Sequence, residues 1–265
     1  MDRILPRPVA FLTALLLGAG VIAMIWAAFR QTAEDEVGFS DSAPLVIVDA
    51  GHGGEDGGTV VFGVREKDVT IDLALKLERE LVKRGVRVEM TRRDDSTVSL
   101  ADRVALAAKH PGAAFVSLHL NRFASPKVRG AEVYISTPEQ PITLRLEPGD
   151  KGRPYRDGRS AELGRRILEE IGVTTDLPVR DVRESRMFVT REAPSPSVLV
   201  ECGFLSNPSD AMILSKAEGR KEIARAIAAA CDRYFRETRE NRLLGCSPWS
   251  EGGPAPVIAG PEGEP

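Results

Sequence analysis

Four residues of this chain carry side chains suited to metal or proton chemistry, and each stands at the edge of an apolar segment. His52 lies three residues beyond Asp49 in LVIVDAGHGGEDGG, Leu45 to Gly58. Glu66 opens the stretch EKDVTIDLALKLERELVKR, Glu66 to Arg84. His119 sits in FVSLHLN, Phe115 to Asn121, and Glu201 closes the run SVLVE. His52, Glu66 and His119 make a two-histidine, one-carboxylate set. Catalytic zinc takes three such protein ligands and keeps a fourth position open. There it lowers the pKa of a water to about 7 and polarises a carbonyl. A further carboxylate, Glu201, is then free to take a proton from the attacking water and pass it to a leaving nitrogen. Five of the nine residues from Gly51 to Thr59 are glycine, which lets this loop bend back and lets substrate backbone approach.

Taken singly, each residue has a plainer reading. A glycine-rich loop after a strand can cradle phosphate, but GHGGEDGG lacks the GxGxxG spacing and a P-loop lysine. The acids Glu55 and Asp56 also oppose an anion. His119 alone could be a hydrogen-bonded core histidine. Glu66 alone could complement a helix dipole. Glu201 is harder to dismiss, because a carboxylate is rarely buried unless paired. The third histidine, His110, precedes Pro111-Gly112 at a helix end, where a dipole role suffices, and it is assigned no function. Spacing alone leaves the zinc hydrolase and these readings open, since this is no contiguous motif such as HExxH.

The elements that must position these residues can be read from periodicity. Leu45–Asp49 is a short β-branched run, as in a strand covered on both faces. Val69, Leu73, Leu77 and Leu81 fall four apart and give the stretch from Glu66 to Arg84 an apolar helical stripe, with Gly85 as its stop. Val86–Met90 reads as the next strand. Ser99 to Asp102 resembles a capping box opening a helix to about Lys109. Ala113–Leu118 and Gly130–Ser136 read as strands, Thr137–Gly158 as a surface loop, and Ser160–Ile171 as a helix. Met187–Thr190 and Ser197–Glu201 read as short strands, and Asp210 to about Thr238 as mostly helical. This alternation predicts a single α/β catalytic domain, residues 44–244, with a mostly parallel twisted sheet flanked by helices. Such sheets bind ligands beyond the carboxyl ends of their strands, where His52, Glu66, His119 and Glu201 all lie.

The 265 residues are 42% hydrophobic and 28% charged with net charge −3, which gives no basic footprint for nucleic acid. The cysteines Cys202, Cys231 and Cys246 form neither a disulfide framework nor a CxxC spacing. Val9 to Phe29 is a run of 21 uncharged residues, long enough to span a ~30 Å hydrocarbon core. Arg3 and Arg7 precede it and Glu34, Asp35 and Glu36 follow it. Residues 1–8 are therefore expected in the cytoplasm, 9–29 as a single-pass anchor in the cytoplasmic membrane, 30–43 as a linker, and the domain outside. A cleaved signal peptide is the rival reading, which would release the domain to the periplasm. Its apolar region is usually ~7–15 residues with a small-x-small site, so the length here favours the anchor. Residues 245–265 are rich in Gly, Pro and acid and read as a disordered tail.

Together VIVDAGHGGEDGG, REKDVTIDLALKL, FVSLHLN and PSVLVECGFLSNPSD, in this order, resemble the zinc-dependent N-acetylmuramoyl-L-alanine amidases from about Leu45 to Tyr234. The resemblance implies hydrolysis of the peptidoglycan amide between N-acetylmuramic acid and the first L-alanine of the stem peptide. It implies one zinc per chain on His52, Glu66 and His119, and Glu201 as catalytic acid/base. Asn121, in the S-x-H-x-N pattern, would lie near substrate or orient His119. The anchor would hold such a domain against the wall. Some relatives carry a long insertion that covers the metal until a partner removes it. Thr137–Gly158, at that place, is short and proline-broken, so no full autoinhibitory helix is expected. No residue pattern names a protein activator. A zinc peptidase cutting within the stem peptide and a non-catalytic peptidoglycan-binding protein are the alternatives. Cys202 follows Glu201 on one strand and should face the opposite way, into core.

Overall fold

The computed structural model describes residues 43–136, 158–194 and 196–243. The regions read as anchor, most of the linker, the loop Thr137 to Asp157 and the C-terminal tail lie outside the described residues. Among those described, no helix is long and apolar enough to cross a membrane.

Strands β1 (Leu45–Ala50), β5 (Ala114–Asn121) and β8 (Ser197–Phe204) form the middle of the sheet and are almost wholly buried. Their near-continuous apolar sequence is what a strand covered on both faces requires. With β4 (Arg87–Met90), β6 (Ala131–Ile135) and β7 (Val179–Glu184), the order is β4-β1-β5-β8-β6-β7. All junctions are parallel except β8–β6, which is antiparallel. The expected mostly parallel sheet is thus a mixed one. The short segment from Arg122 to Gly130 contains no helix and reverses the chain, whereas parallel neighbours need a longer crossover. A hairpin of β2 (Val60–Val61) and β3 (Val64–Arg65) stands apart.

Strand side chains alternate between faces, and the two faces differ in cover. On one face Val46, Val48, Val116, Leu118, Val198, Val200 and Cys202 join a large core. It is completed by α1 (Glu66–Val82), α3 (Gly158–Thr174) and α6 (Ala217–Leu243), which supply Leu73, Leu77, Leu163, Ile167, Ile223 and Ile227. Cys202 does face this core. The other face carries a smaller cluster of Ile47, Phe115 and Leu199 beneath α2 (Leu100–Ala108) and α4 (Phe188–Glu192), with Ala107 and Val189 packed on them. Its polar positions, Asp49, Ser117, His119 and Glu201, lie toward the carboxyl ends of the strands.

Helix α2 begins at Ser99 as expected, its hydroxyl accepting the Asp102 amide at 3.1 Å. Gly85 follows α1 with φ +74°. The segment Asp210–Thr238 is mostly helical as expected, in two helices, α5 (Pro208–Ser215) and α6. Two further expectations are corrected, and one element was missed. Met187–Thr190 does not form a strand: it leads into α4, and an apolar run so short has no period to separate the two states. Gly158 starts α3 instead of ending a loop. The edge strand β7, VRDVRE, was not anticipated. Its charges suit an exposed edge and hide the strand pattern. Leu77→Ala removes a fully buried side chain and is expected to cost about 2–5 kcal/mol, read as a lower urea midpoint at unchanged slope.

Candidate active site

Glu66 is the first residue of α1 and only 3% exposed. Arg65 supplies no side-chain cap to this helix. Instead the preceding loop turns back, so that the Glu66 amide bonds to the Thr59 carbonyl at 2.9 Å and the Lys67 amide to that of Gly57 at 3.3 Å. The helix start is thereby fixed at the carboxyl edge of the sheet. The Glu66 side chain completes the junction: Oε1 accepts from the Leu120 amide at 2.9 Å and Oε2 from the Thr59 amide at 2.8 Å.

The two histidines converge on the same carboxylate. His52 Nε2 and His119 Nδ1 each lie 3.0 Å from Glu66 Oε1. The rings meet edge to face, 4.8 Å between centroids. Two glycines make this approach possible. A Cβ on Gly51 would stand 2.4 Å from His119 Cε1, and one on Gly58 would stand 2.6 Å from His52 Cδ2 and 2.7 Å from Glu66 Oε2. His52 itself has φ 61°. An L-residue there costs roughly 1–2 kcal/mol, although histidine is among the types that tolerate it.

The donor set fits a divalent metal. One ligand atom from each of His52, Glu66 and His119 lies within 4.8 Å of the others. Ligands 2.0–2.1 Å from a tetrahedral ion stand about 3.3 Å apart, close to the 3.0 Å of the two His–Glu66 pairs. Asp56 Oδ2 sits 2.7 Å from His52 Nδ1, the outer hydrogen bond that directs the opposite ring nitrogen to a metal. For the Glu66 carboxyl, burial favours the neutral form, but His119, His52 and the Leu120 amide outweigh it and hold the group well below the usual range. For His52, burial is likewise opposed by Glu66 and Asp56, which hold the imidazole up at about 8.

Glu201 lies opposite His119 on the neighbouring strand, so both project from one sheet face. Its Oε2 is buried and makes no hydrogen bond among the described residues. Burial foremost, then the charges of Glu66 and Glu132, push its carboxyl up to about 8, with His52 opposing. A cavity of about 720 Å³ opens over this group, lined by His52, Glu66, His119, Asn121 and Glu201. The structure therefore brings all five residues singled out from the sequence to one cavity. Asn121 bonds to Glu132 and to the Arg122 amide, each at 2.7 Å, rather than to His119. His110 pairs with Glu89 at 3.0 Å and does not line the cavity.

Two acids escaped sequence reasoning. Asp56 was legible only as a charge against phosphate. Glu132 lies opposite Glu201 in the register and binds Asn121, Tyr134, Arg180 and Arg183. A carboxylate within the apolar run AEVYI was the signal, the same one that marked Glu201.

A family profile described as N-acetylmuramoyl-L-alanine amidase matches residues 46–233. The chain is 31% identical over 221 residues to N-acetylmuramoyl-L-alanine amidase AmiC of Neisseria meningitidis serogroup B, covering 72% of this chain and 53% of that protein. It thus spans about half the length of that relative. It is 31% identical over 219 residues to AmiA of Escherichia coli K12, covering 72% of this chain and 76% of the relative. The solved structure of AmiC2 of Nostoc punctiforme superposes with TM-score 0.63 at 31% identity, covering 73% of this chain and 97% of that one.

Gly58→Ala, strained at φ +63° and crowding His52 and Glu66, is expected to leave a folded protein with much reduced metal content, measured by elemental analysis. Glu201 yields a pH-dependent stability difference. Its folded pKa of about 8 exceeds the usual 4.5, so between these values the folded state binds more protons and this group lowers stability as pH rises. In chelated protein, Glu201→Gln is expected to melt several degrees above wild type at pH 8 and level with it near pH 4.

Proposed function

This chain belongs to the N-acetylmuramoyl-L-alanine amidase family, and from that premise we propose that it hydrolyses the amide joining N-acetylmuramic acid to L-alanine of the peptidoglycan stem peptide. The observation that carries the reading is the buried Glu201 carboxyl, its Oε2 without a hydrogen bond among the described residues, beside the His52–Glu66–His119 set in one open cavity.

His52, Glu66 and His119 would hold a zinc ion, one per chain. When bound it supplies Lewis acidity, polarising a carbonyl and making a water acidic enough to react at neutral pH. Asp56 keeps the His52 ring oriented through Nδ1. Glu201 holds and moves the proton. It accepts one from the attacking water and delivers it to the departing alanine nitrogen, so the lactyl carboxylate and a free amine result. Its apolar, acid-flanked setting suits that exchange, because a raised pKa makes the carboxylate a stronger base toward water than an ordinary one and brings its proton exchange into the neutral range. Asn121 has its amide fixed by Glu132 and Arg122 and offers its remaining hydrogen-bonding capacity to substrate at the cavity wall. The sequence from Val9 to Phe29 supports a membrane anchor that presents the domain to the wall outside the cytoplasm.

Glu201→Gln is expected to retain zinc and lose roughly 10²–10⁴-fold in turnover, followed as release of stem peptides from purified peptidoglycan. Wild-type products bearing a free L-alanine amine identify the amidase. Products cut within the stem would instead identify a peptidase, and zinc binding without any release a wall-binding protein.

A further inference from the structure

His52 is the residue of the metal set whose backbone is least able to hold itself. Its φ of 61° is followed by 128° at Gly53 and 61° at Gly54, three successive residues in a region that L side chains rarely adopt and that glycine leaves readily. The segment lies beyond the end of β1, where no ladder continues past the Gly51 amide, which bonds to the Leu118 carbonyl at 3.0 Å.

Gly53 pairs with Asp56 through two backbone bonds at 3.0 and 3.2 Å, and the Gly54 amide bonds to Asp95 at 2.9 Å; the peptides from Ala50 to His52 are held by a pair of buried arginines. Arg103, on α2 and 4% exposed, donates from Nη2 to the His52 carbonyl at 2.7 Å. Its Nη1 serves the Ala50 carbonyl at 2.7 Å and the Asp49 carboxylate, and its Nε the Val98 carbonyl at 3.2 Å. Arg92, 3% exposed, donates from Nε to the Ala50 carbonyl at 2.9 Å and from Nη2 to the Gly51 carbonyl at 2.8 Å. Three consecutive carbonyls, Ala50 to His52, thus end on guanidinium groups. Asp49 pairs with Arg103 and is itself held by Thr91 at 2.7 Å and Ser117 at 2.6 Å.

We propose that Arg103, supported by Arg92, is a positioning residue that fixes the His52 peptide in its left-handed conformation and so aims the imidazole, forming the metal site before the metal arrives. This rests on the reading of His52, Glu66 and His119 as the metal set. The residue type matters. A planar fork can bond Asp49, Ala50 and His52 together, whereas an ammonium is a point charge on a flexible stem. Lysine at 103 would keep Asp49 paired, avoiding an uncompensated buried charge, and would release the His52 carbonyl.

The test is the zinc dissociation constant of the purified full-length protein, measured by competition with a chromophoric chelator, which needs no amidase activity. Arg103→Lys is expected to fold and to bind zinc roughly 10–100-fold more weakly, the effect typical of residues that orient ligands. Arg92→Lys leaves the Asp49–Arg103 pair intact and is expected to weaken zinc binding in the same direction. It decides the matter if Arg103→Lys does not fold. Ile171→Val, a buried change in α3, is the control for general destabilisation and should bind zinc like wild type. Unchanged zinc affinity in the folded lysine variants overturns the proposal, as does an equal loss in Ile171→Val. A wild type that binds no zinc overturns the metal reading itself.

Discussion

The Glu66 carboxylate is the contact on which the rest of the site depends. It is almost wholly buried, and an isolated buried carboxylate is too costly to persist. Here it is surrounded by donors from two separate segments: His52 and the Thr59 amide from the loop, His119 and the Leu120 amide from β5. The carboxylate therefore stitches loop, helix and strand into one corner. The absent side-chain cap at Arg65 follows from this. The loop carbonyls of Thr59 and Gly57 already occupy the first amides of α1, so cap, loop closure and ligand placement are one arrangement.

Sheet parity supplies the remainder. His119, Glu201 and Glu132 are register partners on β5, β8 and β6, so their side chains must emerge on one face in a row. Nothing in the row need be placed by a flexible loop. The far end is closed by Arg180 and Arg183 of β7, which pair with Glu132, while Arg180 also lies 5.7 Å from the centre of the Phe204 ring. The charges of β7 thus serve an exposed edge and a buried acid at once.

The central strands, α1 and the five cavity residues were legible because their signals are strong: β-branched runs, a stripe at Val69, Leu73, Leu77 and Leu81, and ionisable groups at strand ends. The orientation of Cys202 followed from period two alone. Met187–Thr190 was not legible, since its helix is decided by Val189 packing under α2 against the sheet. The hairpin β2–β3 has two residues per strand and no pattern to read. Arg92 and Arg103 looked like ordinary charges. Their role depends on where the Ala50, Gly51 and His52 carbonyls point, and no residue spacing announces that. The anchor from Val9 to Phe29 rests on sequence alone.

Glu66 and Glu201 show how one residue type takes two roles through environment. Both are buried and both stand beside histidine. Glu66 receives two backbone amides and two imidazoles, so its charge is stabilised and the group is fit to hold a cation. Glu201 is buried, receives no hydrogen bond at Oε2 among the described residues and faces the like charges of Glu66 and Glu132, so its affinity for a proton is raised. Environments that drive two acids apart in this way are what the proposed division into metal ligand and proton carrier requires. Exchanging their surroundings would exchange their chemistry, and the surroundings are set by β5 and β8 together with the turn that starts α1. The division of labour is therefore built by the sheet register and the helix start, before any substrate is present.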